Sequence, residues 1–600
     1  MRVAVVVKQV PRFEQLDLGP DGRLRRDGVE LEMNPYCRRA VSKGVELARA
    51  SGGTCTVFTL GPPAAEDCLR EAVAWGADEG VLITDRAFAG SDTLATSRAL
   101  AAALEREGPF ELVLAGRNSV DADTGQVGPE VAELLGLPFL AGVKVLEVLG
   151  TTLRATCEHD DGRVEAEVEL PALISCAERL CEPAKVDPEG RAGVAPGRIR
   201  VLAAAELGQG PWGQDGSPTR VGDVRLLDVQ RRQVVLEGPV DDQVRAAVAL
   251  LDDAGAFGHT GGTAAHGHDQ DPVPDGWERG DQVVAVLLEP GRPRVGRELL
   301  GGAARLAAGI GGTVLAVQSP GRGGKLPPEA ATLASWGADQ VLEMSGSAVV
   351  EDTSAALAGW CRQAGPWAVL APGTMWGREM ASRLAARLGA GLTGDAVDLD
   401  VEGGRLVGWK PAFGGRLVAA ITATSPVQLA TVRPGILPLL APRPPVAPAW
   451  RRLEAEPRSR VRVLKSVRDD ELDMLASAEV VVGVGTGVPP EDYPALTPLL
   501  EALGAELAAT RKVTDRGWQP RARQVGITGR SISPRLYVAI GLSGKFNHVV
   551  GVRGAGQVLA INADSSALIF GSADVGIVAD WRDVVPILVS VLGERVVATT

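Results

Sequence analysis

Gln524 to Asp580 reads QVGITGRSISPRLYVAIGLSGKFNHVVGVRGAGQVLAINADSSALIFGSADVGIVAD, and its reading decides the fold. Two glycine-punctuated turns, Gly526-Ile527-Thr528-Gly529 and Gly541-Leu542-Ser543-Gly544, flank the apolar run Leu536–Ile540, which reads as a strand. The second turn leads into a segment carrying His548, and Ala560-Ile561-Asn562-Ala563-Asp564 closes a further strand. Glycine lets backbone N–H groups approach an anion closely, and a helix N-terminus adds positive potential. The hydroxyls of Thr528, Ser531 and Ser543 supplement those donors. This is the build of a dinucleotide site at the carboxyl ends of parallel strands.

The rest of the chain is consistent with a large α/β protein. Six hundred residues are enough for three or more domains, each with its own core. No apolar run reaches the ~18 residues that a membrane span needs, so no membrane insertion is expected. Val3–Val7 is short, reads as a first strand and is followed by Lys8 rather than a cleavage site, so the expected location is cytoplasmic. A net charge of −13 argues against nucleic acid as a partner, because that requires a basic surface. The seven cysteines, at 37, 55, 68, 157, 176, 181 and 361, lack zinc or iron–sulfur spacing. They read as reduced, mostly buried thiols, which leaves redox chemistry to an organic cofactor. Neither a Ser-His-Asp set nor a carboxylate pair points to hydrolysis.

A degenerate repeat organises the first two thirds. Ala74-Trp75-Gly76-Ala77-Asp78 recurs as Ser335-Trp336-Gly337-Ala338-Asp339. Each copy continues with a strand, a candidate helix (Thr93–Glu105, Thr353–Gln363), a strand (Leu112–Ala115, Ala368–Leu370) and a helix ending in Leu135-Gly136 or Leu388-Gly389. Strands alternating with helices predict two copies of one parallel α/β domain. The first copy with an extended arm, Thr219–Glu237 within it, occupies 1–254. Residues 255–280, rich in Gly, Asp, Pro and His, read as a linker; His259, His266 and His268 there are solvated side chains or an adventitious metal site. The second copy occupies 281–455 and the last domain 456–600. That domain opens with strand Glu479–Val484, followed by a helical Asp492–Leu503, and ends in the amphipathic helix Trp581–Leu592.

The last domain closely resembles the FAD-binding domain of the electron transfer flavoprotein alpha subunit, through its Gly-x-Thr-Gly turn, Leu536-Tyr537 strand, Asn547-His548 pair and Ala560-to-Asp564 segment. Met33-Asn34-Pro35-Tyr36-Cys37 and Asp121-Ala122-Asp123-Thr124-Gly125-Gln126 resemble the beta subunit. The chain therefore resembles a beta–alpha fusion whose two parts pair within one polypeptide. The resemblance implies two duplicated parallel-sheet domains, of the adenine nucleotide alpha hydrolase type, and a Rossmann-like FAD domain.

It also implies roles. Arg511, with Thr510 beside it, falls where the family keeps an arginine against the flavin ring, and a cation there favours negative charge on the ring. A surface arginine is the alternative. Thr528 falls where a threonine hydrogen-bonds flavin N5, or it is a structural turn residue. His548 falls near flavin O2, or is a histidine buried for structure. Ser531 and Ser543 fit pyrophosphate contacts, and Asn562 and Asp580 fit ribityl or adenosine contacts. Gln524, Gly526, Gly529, Gly541, Gly544 and Asn547 complete the pattern, whereas Asp564 and Asp574 read as strand-end or capping residues. The chain departs from the family in two places: Val484-Gly485-Thr486-Gly487 replaces Gly-Gly-Arg-Gly, and Ile527 replaces glutamine. Both changes remove polar contacts to the ring.

A second nucleotide, AMP or a second FAD, is implied at Asn34, Cys37, Asn118, Asp121, Asp123, Thr124, Gly125, Gln126 and Val127. The free N–H groups of a helix opening at Thr124–Val127 can hold a phosphate there. Asp123-Thr124-Gly125-Gln126-Val127-Gly128-Pro129 leans toward the members with two FADs. Leu180, in Pro171–Pro183, matches a leucine that docks a partner dehydrogenase; a buried anchor is the alternative. The expected function is electron transfer from flavin dehydrogenases, such as those of fatty acid beta-oxidation, to a quinone oxidoreductase, with the FAD domain swinging on a hinge at Pro442–Trp450. The alternatives are an NADH-dependent bifurcating flavoprotein and a non-redox adenine-nucleotide-binding protein.

Overall fold

The computed structural model describes residues 1–12, 17–18, 24–25, 30–160, 162–226, 231–257, 271–320, 328–412, 417–468, 475, 478–526, 529–530 and 532–599. His259, His266, His268, Ile527, Thr528 and Ser531 lie outside the described residues.

The duplication appears as two sheets with one strand order. The first runs Ile199–Leu202, Glu79–Ile83, Thr54–Leu60, Arg2–Val6, Leu112–Gly116, Ala172–Cys176, Phe139–Leu149, and these seven strands are parallel. The second runs Ala449–Ala455, Gln340–Gly346, Thr313–Gln318, Val283–Leu288, Ala368–Pro372, Gln428–Val432, Leu392–Ala396, again all parallel. The repeated Trp-Gly-Ala-Asp has a mechanical reason. Gly76 and Gly337 end a helix at φ 130° and 123°, where a side chain would be strained. Two residues on, Asp78 accepts the Cys55 N–H at 2.8 Å and Asp339 accepts the Val314 N–H at 2.9 Å, pinning each helix exit to the neighbouring strand. The predicted helices are Thr93–Glu107 and Val350–Ala364, close to the expected bounds.

The first sheet exceeds the prediction. Thr152–His159 and Gly162–Glu169 extend it antiparallel, and Val461–Arg468, which follows the second copy, adds a tenth strand. Its register is held by charge: Glu167 accepts from Arg154 at 2.6 Å and from Arg462 on the incoming strand. Glu167 is held below the usual carboxylate range by hydrogen bonds from Arg462 and Arg154. A smaller antiparallel sheet holds Thr219–Leu226, Leu417–Ala423, Arg405–Ala412 and Asp398–Glu402.

The third sheet is parallel throughout, in the order Val234–Leu236, Val575–Val578, Gln557–Asn562, Leu536–Ile540, Val480–Val484, Glu506–Ala509. Its edge strand comes from the arm of the first half. So does helix Val240–Asp253, whose Val244, Ala247, Val248 and Leu251 share one core with Trp581, Val584 and Leu588. Arg231 forms an ion pair with Asp574 at 2.8 Å, both nearly buried, and also donates to the carbonyls of Arg553, Ala555 and Gly556. The chain accordingly divides into two compact units: Met1–Leu226, Pro272–Leu437 and Pro442–Arg468 in one, and Leu227–Asp271, Pro438–Ala441 and Asp469–Thr600 in the other.

The expected hinge at Pro442–Trp450 is overturned. Arg443 is buried and donates to Ala334, Pro274, Ala338 and Asp339, and Ala449–Ala455 is a strand of the second sheet. No helix is long and apolar enough to cross a membrane among the described residues. All seven cysteines are free thiols.

Candidate functional sites

In the third sheet the chain leaves Val480–Val484 to one side for Glu506–Ala509, then returns to the other side for Leu536–Ile540. Strand order therefore reverses at Val480–Val484, and the crevice at the carboxyl end of such a switch is where α/β sheets bind nucleotides. Gly485, Thr510, Arg511, Gly541, Ser543 and Gly544 follow the ends of those strands, Asn562 ends Gln557–Asn562, and Asp580 follows Val575–Val578. The two glycine turns flanking the switch are built into each other. A Cβ on Gly485 would lie 2.1 Å from the Gly541 carbonyl oxygen, and one on Gly544 would lie 2.0 Å from the Ile569 nitrogen. Asn562 latches the second turn, donating to the Leu542 carbonyl at 2.7 Å. Thr486, Arg511, Ser543 and Lys545 are exposed at this edge, and hydroxyls, cations and turn N–H groups form the donor set that a flavin diphosphate requires.

Individual residues divide. Arg511 is half-exposed and pairs with Asp515 at 3.1 Å, one turn along the short helix Arg511–Asp515. The Thr510 carbonyl accepts the first turn of that helix. Gln524 is buried; its side chain accepts the Thr514 hydroxyl at 2.7 Å, and its carbonyl accepts the Arg530 N–H. Gly526 and Gly529 close that same turn, Gly529 N–H donating to the Gly526 carbonyl at 2.9 Å. Asp580 caps the final helix, accepting the Arg582 N–H at 2.9 Å, and Asp564 caps its own turn through Ser566. Asn547 lies in the short helix Phe546–Val549. His548 is buried with both ring nitrogens engaged, Nε2 at 2.7 Å from the Tyr537 hydroxyl and Nδ1 at 3.1 Å from the Val525 carbonyl. A carbonyl only accepts, so Nδ1 carries the proton and Nε2 accepts from tyrosine. Burial pushes the ring down to about 4, which keeps it neutral at pH 7. In this arrangement both ring nitrogens of His548 have protein partners.

The second candidate site is a network in the first copy. Asn34 is buried and donates to the Asn118 carbonyl at 2.9 Å, while its own oxygen accepts the Val120 N–H at 3.2 Å. Cys37 lies beside it, its thiol pushed up by burial. Asp121 pairs with Lys8 at 2.7 Å; burial opposes its charge, but Lys8 prevails and holds it below the usual range. Thr124 and Gly125, the latter at φ 64°, lead through Gln126 into helix Val127–Leu134. Asn118 donates to Asp123, which has φ 48°. Leu180 is partly buried against the first core.

A charged cluster that the sequence did not reveal backs this loop. Lys410 donates to the Ala122 carbonyl at 2.7 Å, Arg378 pairs with Asp395 at 3.2 Å, and Arg433 pairs with the same carboxylate. Burial works against the Asp395 charge, but Arg433 and Arg378 outweigh it. Asp123, facing Asp395, is raised by burial first. Asp395 itself sits at φ 58°. The duplication explains why. Both copies carry a register shift in the same strand, at Ala141-Gly142 and at Gly394-Asp395. In each a hydroxyl accepts the N–H of the left-handed residue: Ser175 for Gly142 at 2.9 Å, Thr431 for Asp395 at 2.8 Å. The first copy fills the bulge with glycine, and the second puts a strained carboxylate there to hold two arginines.

These features define an α/β protein whose third sheet has the switch-point crevice at which such folds bind nucleotides. The profile of the Electron transfer flavoprotein domain matches residues 21–207 and 291–457, and that of the Electron transfer flavoprotein FAD-binding domain matches 474–553. The chain belongs to the electron transfer flavoprotein family, as a fusion of a beta-like part with a part carrying the FAD-binding domain. It is 37% identical over 254 residues to electron transfer flavoprotein subunit beta of Clostridium acetobutylicum, covering 42% of this chain and 98% of that one. It is 33% identical over 326 residues to protein FixB of Clostridium saccharobutylicum, covering 52% and 96%. It is also 36% identical over 225 residues to the caffeyl-CoA reductase-Etf complex subunit CarD of Acetobacterium woodii, covering 37% and 86%.

Proposed function

We propose that this flavoprotein accepts electrons from partner flavin dehydrogenases, acyl-CoA dehydrogenases among them, and passes them to a quinone oxidoreductase in the cytoplasm. The observation carrying this reading is the set of exposed donors at the switch point of a domain that belongs to the FAD-binding family. FAD, when bound there, supplies the redox chemistry. The protein's own part is electrostatic: Ser543 and the turn N–H groups hold the diphosphate, and Arg511 sets a positive charge at the ring edge. His548 contributes indirectly, by fixing Tyr537 and the Val525 turn while staying neutral. Ser531 and Thr528 complete the hydrogen bonds, and Leu180 is the contact for the dehydrogenase. The test is to mix the yellow full-length chain with an acyl-CoA dehydrogenase and its substrate. Bleaching of the flavin band, slowed at least tenfold in Arg511→Ala, is the expected result; a colourless chain that takes up no FAD would favour the non-redox reading.

A second reading is favoured by the loop 121–129, and the relative CarD is a subunit of a caffeyl-CoA reductase-Etf complex. Here the first-copy site takes a second FAD instead of AMP, and NADH is the donor. Two flavins per chain with NADH oxidation would establish it; one FAD with one AMP and no NADH activity would exclude it.

A further inference from the structure

Behind the first-copy loop lies a carboxyl group that neither reading uses. Glu130, in helix Val127–Leu134, has 0% exposure, and no Lys or Arg pairs with it among the described residues. Its neighbours are hydroxyls of helix Thr93–Glu107. Ser97 Oγ lies 2.7 Å from Glu130 Oε2 and 2.8 Å from the Thr93 carbonyl. Thr93 Oγ1 lies 3.4 Å from Glu130 Oε1 and 2.7 Å from Gln126 Oε1. Gln126 Nε2 is turned toward the Leu392 carbonyl at 3.4 Å.

The proton count is decisive. Each hydroxyl has one proton to give. Thr93 gives its proton to the Gln126 oxygen, and Ser97 shares its own between the Thr93 carbonyl and Glu130. An ionised Glu130 would be a buried anion with at most one shared donor, an arrangement proteins avoid by taking up a proton. One proton on Glu130 completes the set, either as Glu130 to Ser97 to the Thr93 carbonyl, or as Glu130 to Thr93 to Gln126. Burial also pushes this carboxyl up to about 8. The charged groups around it are Asp92 and Arg98, of the same neighbouring helix, which act in opposite senses. On its own helix Glu133 is already paired with Arg383 and Arg387 of helix Met375–Leu388; from strand Ala172–Cys176 it is Leu173 that shares a core with Val131 and Ala132, while the Cys176 thiol lies in the other core.

We propose that Glu130 is a positioning residue held as a neutral acid, which through Thr93 fixes Gln126 and so preorganises the second nucleotide loop, making adenine-nucleotide binding there fail when Glu130 ionises. This rests on the first-copy loop being a nucleotide site. Glutamine mimics the neutral acid, so Glu130→Gln separates charge from shape.

The test titrates AMP calorimetrically into full-length chain refolded with FAD only, between pH 6.5 and 9.5, with hydrogen exchange of the loop amides in parallel. Wild-type affinity is expected to hold to about pH 8 and then to fall by up to about tenfold per pH unit. Glu130→Gln should stay flat, and Glu130→Ala should be weaker at every pH. Identical pH profiles for wild type and Glu130→Gln would overturn the proposal. If AMP binds neither at any pH and each chain holds one FAD only, the second-nucleotide reading fails, and exchange then decides the rest. Loop protection lost above pH 8 in wild type but kept in Glu130→Gln supports the positioning role, and equal protection overturns it.

Discussion

Asp160, at the tip of the first copy's hairpin, accepts the backbone N–H of Met375 at 2.6 Å. Met375 opens helix Met375–Leu388, the second copy's counterpart of helix Val127–Leu134 behind the loop 121–126. A carboxylate from the chain itself thus occupies the N-terminal end of that helix, the kind of place where a helix can bind a phosphate, and Met375 and Trp376 are themselves buried. On the proposed reading, the duplication has one loop that takes an adenine nucleotide and one closed by Asp160.

Asp160→Ala should therefore cost about 1–2 kcal/mol, the scale of a lost charged helix cap. Urea midpoints for wild type and variant would check it. Chain refolded with excess AMP and FAD should hold no more than two nucleotides in total.

The left-handed bulge gives opposite expectations in the two copies. A Cβ on Gly142 would fall 2.6 Å from the Met375 methyl and 2.9 Å from the Glu158 carbonyl, so Gly142→Ala should destabilise by roughly 2 kcal/mol or more. Asp395→Gly relieves strain but strips two arginines of their shared partner, for a net loss of about 3 kcal/mol. Denaturant titration of both variants reads each sign.

His548 makes the FAD-binding domain acid-sensitive. Its folded value of about 4 is depressed from 6.5, so the unfolded chain binds the extra proton first. The resulting stability is complete above pH 6.5 and declines as pH falls toward 4, by up to about 3 kcal/mol. His548→Asn should flatten that slope, and Tyr537→Phe should cost about 1 kcal/mol at pH 7. Flavin-release temperatures between pH 4.5 and 7.5 would show both.

Arg231→Met leaves Asp574 charged and buried, which should cost about 3–5 kcal/mol. For the same reason residues 456–600 expressed alone should aggregate, since Val234–Leu236 and Val240–Asp253 no longer cover that sheet. Co-expression with residues 1–257 should restore soluble, yellow protein, as size-exclusion chromatography with absorbance at flavin wavelengths would show.

Much of this was legible because local physics dictated it. Trp-Gly-Ala-Asp announced each helix exit, and Leu536–Ile540 was bounded correctly by its flanking glycines. What escaped depends on distant pairing. Nothing in VRVLKSVR says which sheet edge it joins; the decision lies with Glu167, nearly 300 residues upstream. The Glu130 network needs Thr93 and Ser97 from another helix, and Asp395 gains meaning only when its bulge is superposed on Gly142. Even the glycine turns misled in part: Gly485 and Gly541 are small so that their own backbones can touch, besides any approach to phosphate.

The arm carrying Val234–Leu236 leaves the first half to edge the third sheet, while Val461–Arg468 leaves the second half to edge the first sheet. Each half is thus both host and guest of the other. Cleavage engineered between Phe257 and Asp271 would therefore yield a nicked particle rather than two free subunits. Joining the genes adds equal supply of both partners to a grip that the interlaced strands already provide.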